Sequence, residues 1–170
     1  PLGPRLYMSN HQSNLDPPIL VTHLPGNIGF LAKKELFSVP ILGAVLRAGG
    51  LIPVARADRA AAQASIAAAA EAVRQGRPFL IFPEGTRSPN GRLLEFKKGP
   101  FYLAEQAAVP IVAITLTGAG ACMPRGQWRI RPGTVEMSIH PPLLPPSWKD
   151  EPEPRAAIAA AVRQRLADEV

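Results

Sequence analysis

The sequence predicts an α/β fold, in which a largely parallel or mixed sheet is flanked by helices. Three observations predict it. Short apolar segments alternate with helical segments, the helical segments begin and end at residues typical of helix ends, and two polar turns directly follow apolar segments. Because functional sites of such sheets lie at the carboxyl ends of the strands, both polar turns are expected at one edge.

Six segments are predicted to be strands, since each is short, rich in apolar residues and bounded by turn residues. They are 6–10, 28–32, 51–55, 78–82, 111–117 and 135–140. The third contains Pro53. Proline has no amide hydrogen for a sheet, so this strand is predicted near an edge.

The segments between the strands predict helices. The first begins at Asp16, with Asp16 as the N-cap and Pro17 at the first helical position, and ends at Pro25. The second is broken within 33–48 and is stopped by two glycines. Three further helices are predicted at 58–75, 99–108 and 155–169, whereas 118–133 reads as a loop.

Length and composition favour one globular domain over residues 1–170, with 146–170 as a C-terminal tail. The chain starts abruptly and without an initiator Met. This suggests a fragment that lacks an N-terminal, membrane-associated part. Cys122 is the single cysteine, which excludes an intrachain disulfide framework and fits a reducing compartment. The alanine, arginine, proline and glycine bias suggests a GC-rich bacterial genome.

The positive charge is concentrated in the first three quarters of the chain. Residues 1–131 hold 15 of the 19 Lys and Arg and 7 of the 13 acids, a net charge of +8, and 132–170 carry −2. A basic main part suits an anionic partner, which is a nucleic acid, a phosphorylated substrate or an acidic lipid surface. Nucleic acid is disfavoured, because aromatic residues for base stacking are only 6% of the chain.

The first polar turn, SNHQSNLDPP, places His11 five residues before Asp16. Across a strand-to-helix turn the carboxylate can accept from one ring nitrogen and leave the other to take a proton. The spacing alone is weak evidence. Taken alone, it favours a turn histidine followed by a helix cap.

The second polar turn, FPEGTRSPNGRLLEFKKG, concentrates cationic side chains after a buried segment. Arg87 offers a fork of donors suited to phosphate, and Gly85 permits close backbone approach. Glu84 is expected either to hold Arg87 or to bind a substrate hydroxyl. A solvated basic loop is the alternative, and the spacing of a P-loop is absent.

Taken together, the two turns resemble blocks of the glycerolipid acyltransferase family. NHQSNLD resembles its H-x4-D block, and FPEGTRS its most recognisable block. GGLIPVAR, which ends at Arg56, and VPIVAI resemble two further blocks. LAKKELF, which contains Lys33, and RPGTVEMSIHPPL also look like family segments, so that the resemblance covers roughly residues 6–145.

The resemblance implies transfer of a fatty acyl group from acyl-CoA or acyl carrier protein to the free hydroxyl of 1-acylglycerol-3-phosphate. It implies His11 as general base and Asp16 as its orienting carboxylate. The implied phosphate-binding set is Glu84, Gly85, Thr86, Arg87, Arg56 and Lys33. No cofactor and no metal are expected.

The resemblance also implies peripheral association with the cytoplasmic face of a bacterial inner membrane. Trp128 and Trp148 lie in predicted loops, where an interfacial role competes with ordinary packing. Two alternatives to the implied function stay open. One is another acceptor, such as glycerol-3-phosphate, a lyso-ornithine lipid or a different lysophospholipid. The other is a catalytically silent lipid-binding homologue, which would be expected to lack His11 or Asp16.

Overall fold

The computed structural model describes residues 3–55 and 58–167. The strands, in chain order, are β1 Leu6–Ser9, β2 Gly29–Lys33, β3 Ile52–Val54, β4 Phe79–Ile81, β5 Ile111–Thr117 and β6 Glu136–Ile139. The α-helices are α1 Asp16–His23, α2 Leu42–Ala48, α3 Arg59–Arg74, α4 Lys98–Ala107, α5 Ala119–Cys122 and α6 Pro154–Ala167. Two 3-10 turns span Lys34–Ser38 and Pro145–Ser147.

Within the described residues, the six strands form one mixed sheet in the order β3-β2-β4-β1-β5-β6. Strand β1 lies between β4 and β5 and is parallel to both. Strand β6 is antiparallel to β5, and β3 ends the other side of the sheet. The α/β prediction is therefore confirmed, as is the edge position of the strand that contains Pro53.

The side chains of the central strands alternate between two apolar cores. Leu6 and Met8 of β1 lie on one face, where buried residues of α3, α4 and α6 cover them. Tyr7 lies on the opposite face with Leu20 of α1. The period-two alternation of a strand thus places helices on both faces of the sheet.

The long helix α3 follows its prediction closely. Its N-cap is Asp58, whose carboxylate accepts a hydrogen bond from the Ala61 amide. Gly76 follows its end with a φ of 97°, a conformation that glycine adopts readily. Alanine propensity and the two end signals agree here, which explains why the helix could be read from the sequence.

Two local predictions are wrong. The N-cap of α1 is Leu15 rather than Asp16, and the helix has no side-chain cap. Asp16 instead turns its carboxylate back toward the residues that precede the helix. Segment 118–133 is not loop throughout, since it begins with the one-turn helix α5. The predicted end of the last helix falls on residues 168 and 169, which lie outside the described residues.

Candidate active site

His11 and Asp16 lie at the carboxyl end of β1 and face each other across the turn into α1. The His11 Nδ1 atom is 2.8 Å from Asp16 Oδ2. The Asp16 side chain is fully buried, whereas the His11 side chain is 16% exposed. Because an ionised carboxylate only accepts, this geometry assigns the proton to Nδ1 and leaves Nε2 able to accept a proton.

The Asp16 carboxylate also fixes the backbone of the turn. Its Oδ2 atom accepts from the Gln12 amide at 2.6 Å and from the Ser13 amide at 2.8 Å, in addition to His11. Hydrogen bonds to a carboxylate are among the stronger ones in proteins. One buried oxygen therefore holds both the imidazole and the backbone that carries it.

Glu84 joins this turn to the turn after β4. Its Oε1 accepts from the His11 amide at 2.8 Å, and its Oε2 accepts from the Leu94 amide at 2.9 Å. Glu84 is 1% exposed. Burial raises the pKa of the Glu84 carboxyl, and the two amide donors, from Leu94 and His11, partly oppose that rise.

The second turn contacts His11 at two further points. The Ser88 amide donates to the His11 carbonyl at 2.7 Å. The Phe82 ring stacks on the imidazole, with centroids 4.1 Å apart and an interplanar angle of 20°. The ring of His11 is therefore fixed on one side by Phe82 and at Nδ1 by Asp16.

Strand β5 holds the first turn from its other side. The Asn10 side chain donates to the Leu116 carbonyl and accepts from the Leu116 amide, both at 2.8 Å. The Ser13 hydroxyl donates to the Met123 carbonyl at 2.7 Å. Ser13 is buried and, within the described residues, has no basic partner, so it is not placed as a nucleophile.

Arg87 lies in the same turn as Glu84 and is adjacent to Ser88. Its carbonyl accepts from Arg125, at 3.3 Å. Within the ranges 3–55 and 58–167, no hydrogen bond or ion pair occupies its guanidinium group. A cleft beside this turn is lined in part by Gln12, Ser88 and Arg125. Of the two arginines, Arg125 lines this cleft, where its guanidinium group can bind an anionic group.

Comparison with known proteins gives the family. An acyltransferase family model matches residues 1–117. The chain is 40% identical over 141 residues to a chloroplastic 1-acyl-sn-glycerol-3-phosphate acyltransferase of Brassica napus, a match that covers 82% of this chain and 41% of the relative. It is 35% identical over 158 residues to the 1-acyl-sn-glycerol-3-phosphate acyltransferase of Helicobacter pylori, a match that covers 90% of this chain and 67% of the relative.

The chain belongs to the acyltransferase family. A crystal structure agrees with this assignment, that of the 1-acyl-sn-glycerophosphate acyltransferase PlsC from Thermotoga maritima. It matches with a TM-score of 0.80 and 32% identity over 96% of this chain and 65% of that one. The plant and algal relatives are longer, and this chain spans about half of their length or less.

The structure brings some of the predicted site residues together and leaves others apart. His11, Asp16, Glu84, Gly85, Thr86 and Arg87 lie in two turns that hydrogen bonds join directly. Lys33 ends β2 at the same edge of the sheet, but its side chain is 61% exposed and pairs with Glu35 at 3.8 Å. Arg56 lies outside the described residues.

The sequence interpretation missed the positioning role of three residues at the site. Glu84 accepts from two backbone amides, those of His11 and Leu94, and makes no hydrogen bond or ion pair with an arginine among the described residues. Phe82 stacks on the His11 ring, and the Ser88 amide donates to the His11 carbonyl. All three lie in or next to the FPEGTRS block, so the block itself was the signal for them.

Among the described residues, no helix is both long and apolar enough to cross a bilayer.

Proposed function

We propose that this acyltransferase moves a fatty acyl group from acyl-CoA or acyl carrier protein to the free hydroxyl of 1-acylglycerol-3-phosphate, which gives phosphatidic acid. The observation that carries the proposal is the His11–Asp16 pair, which lies at the edge of the sheet. Within the described residues, His11 Nε2 makes no hydrogen bond and can accept a proton. The relatives and the structural neighbour are named as acyltransferases of 1-acyl-sn-glycerol-3-phosphate or 1-acyl-sn-glycerophosphate, which supports this acceptor.

The proposed reaction needs no covalent enzyme intermediate. Nε2 of His11 takes the proton of the acceptor hydroxyl as that oxygen attacks the thioester carbonyl carbon. The new C–O bond forms, the C–S bond breaks, and the imidazolium returns its proton to the leaving thiolate. Asp16 stabilises the imidazolium through Nδ1–H, and holding both substrates together supplies much of the rate.

The acceptor phosphate is proposed to bind Arg87, with the backbone of Gly85 and Thr86 beside it. Glu84 takes part through position rather than contact, because its carboxylate is buried and engaged with His11 and Leu94. Lys33 and Arg56 remain proposed helpers for the same anion. No cofactor or metal enters the proposal, and the acceptor lipid is expected to reach the enzyme from the cytoplasmic face of a bacterial inner membrane.

The test is release of free thiol from palmitoyl-CoA, with and without lysophosphatidic acid, in the wild-type chain and in His11→Ala. His23→Ala is the matched control, since His23 is an exposed histidine at the end of α1. We expect thiol release that requires the acceptor and falls by about 10²–10⁴-fold in His11→Ala alone. Release without acceptor, or equal activity in His11→Ala, would overturn the proposal.

The acceptor is tested in the same assay with glycerol-3-phosphate and with monoacylglycerol. The proposal predicts turnover with lysophosphatidic acid well above both. A preference for glycerol-3-phosphate would leave the proposed role of His11 unchanged and would make glycerol-3-phosphate the acceptor. No transfer to any of the three by the folded protein would favour a silent lipid-binding homologue.

A further inference from the structure

The segment between α5 and β6 forms a closed loop with an exposed tip, Gln127–Ile130. The Arg131 amide donates to the Cys122 carbonyl at 2.8 Å, and the Gln127 amide donates to the Pro124 carbonyl at 3.0 Å. The first bond closes the loop at its base, and the second forms the turn that leads into the tip. The tip is consequently presented by the fold rather than packed into it.

The tip exposes large apolar side chains that no described residue covers. Trp128 is 88% exposed and Ile130 is 61% exposed. The other tryptophan of the chain, Trp148, is 3% exposed and belongs to the core, as the packing interpretation predicted. Exposed apolar residues of this size, two positions apart in one loop, indicate contact with another phase or another molecule.

The positive charge of the residues around the tip indicates an anionic partner. Arg125, Arg129 and Arg131 are all exposed, and residues 106–135 contain no Asp or Glu. Arginine beside tryptophan is the combination that sits well at a bilayer surface, where the indole reaches the headgroup level and the cations meet anionic lipid. Binding to a protein would not by itself require that every charged residue of this segment be cationic.

We infer that the loop tip Gln127–Ile130 docks the enzyme on an anionic lipid bilayer. The base of the loop is directly connected to the proposed active site, since Met123 accepts from Ser13 and Arg125 donates to the carbonyl of Arg87. Docking through the tip therefore brings the His11 edge of the sheet to the membrane, where a lysophospholipid acceptor would reside.

A rival surface lies at the start of α2, where Ile41 is 82% exposed and Val45 is 60% exposed. Ile41 also has a φ of 65°, which is strained for a β-branched residue. The variant Ile41→Asn removes this exposed apolar side chain and puts a smaller polar one in its place. It is the matched control, because it tests whether any exposed apolar side chain would serve equally well.

The inference rests on the proposed function only in that the acceptor is a membrane lipid. Its test is binding to sedimented phosphatidylglycerol–phosphatidylcholine vesicles without acyl donor, so failure of docking and failure of acyl transfer give different results. We expect roughly tenfold weaker binding for Trp128→Ala and about fivefold weaker binding for Arg129→Ala. Binding of Ile41→Asn should equal that of the wild type.

A second measurement uses Trp128 as its own probe. In Trp148→Phe the remaining tryptophan of the chain is Trp128, and its emission should shift to the blue and be quenched by brominated lipid when anionic vesicles are added. Pure phosphatidylcholine vesicles, or high salt, should abolish most of this response. Unquenched Trp128, no vesicle binding, wild-type binding by Trp128→Ala, or loss of binding in Ile41→Asn alone would each overturn the inference.

Discussion

The His11 amide donates a hydrogen bond to Glu84 Oε1 at 2.8 Å, across 73 positions of sequence. With the bond from the Ser88 amide to the His11 carbonyl, it secures both backbone polar groups of His11 to the turn after β4. The base proposed for the reaction and the arginine proposed for the phosphate are therefore parts of one hydrogen-bonded unit. A substitution of Glu84 should therefore change the position of His11 while the imidazole itself is retained.

Glu84→Gln should destabilise the fold and lower kcat together. A glutamine has one oxygen for two buried amides, so the His11 or Leu94 amide loses its acceptor, at a cost of about 1–3 kcal/mol. Urea denaturation and the thiol-release assay measure the two effects. Glu95→Gln is the control, since Glu95 is exposed and lies beside Leu94. Equal behaviour of the two variants would show that Glu84 does not position His11.

The raised pKa of Glu84 also predicts a dependence of stability on pH. The folded pKa lies above the ordinary value of 4.5, so the folded state binds more protons between those two values. The stability contributed by this group is present below 4.5 and is lost as the pH rises through the folded pKa. The free energy of unfolding of the wild type, relative to Glu84→Gln, should thus fall across that window. A relative rise would contradict the effect of burial.

Asp16→Asn should lower kcat by about 10²–10⁴-fold. The imidazolium would lose the carboxylate that stabilises it, and the Nδ1–H tautomer would lose its strongest hydrogen-bond acceptor. Nitrogen chemical shifts of the His11 ring would report the tautomer, and circular dichroism would check the fold. Asp58→Asn is the matched control, since Asp58 caps α3, away from the His11 turn, and asparagine caps equally well. Unchanged kcat in folded Asp16→Asn would remove Asp16 from the mechanism.

The strands and helices could be read from local signals, while the roles of particular site residues could not. Helix α3 was predictable because alanine propensity, Asp58 and Gly76 all act within a few residues. Asp16 was mistaken for an N-cap, because the sequence does not show whether a carboxylate faces its helix or the preceding turn. The role of Glu84 depends on a contact across 73 positions, which only the parallel pairing of β1 with β4 creates.

Gly85→Ala should cost about 1–2 kcal/mol of stability, because Gly85 has a φ of 67°, which other residues adopt with strain. An added Cβ would also lie 3.2 Å from Lys97 Cγ. Gly76→Ala is the control, since its φ is 97° and nothing lies within 4 Å of the added atom. Both variants should lose stability, but only Gly85→Ala should raise KM for lysophosphatidic acid. A raised KM in Gly76→Ala would point to a global effect.

Arg87→Ala should raise KM for lysophosphatidic acid by roughly 10–100-fold, the effect of losing charge-assisted hydrogen bonds to a phosphate. Arg87→Lys should recover only part of this, because an ammonium group lacks the paired donors of a guanidinium group. The decisive comparison uses monoacylglycerol, which has no phosphate to bind.

With monoacylglycerol as acceptor, Arg87→Ala and the wild type should show the same kcat/KM. Arg92→Ala, an exposed arginine in the same turn, is the control and should leave both acceptors unaffected. If Arg87→Ala slows both acceptors equally, Arg87 supports the turn that holds His11 and does not select the phosphate. The phosphate would then have to be bound elsewhere, with Lys33 as the first described residue to test.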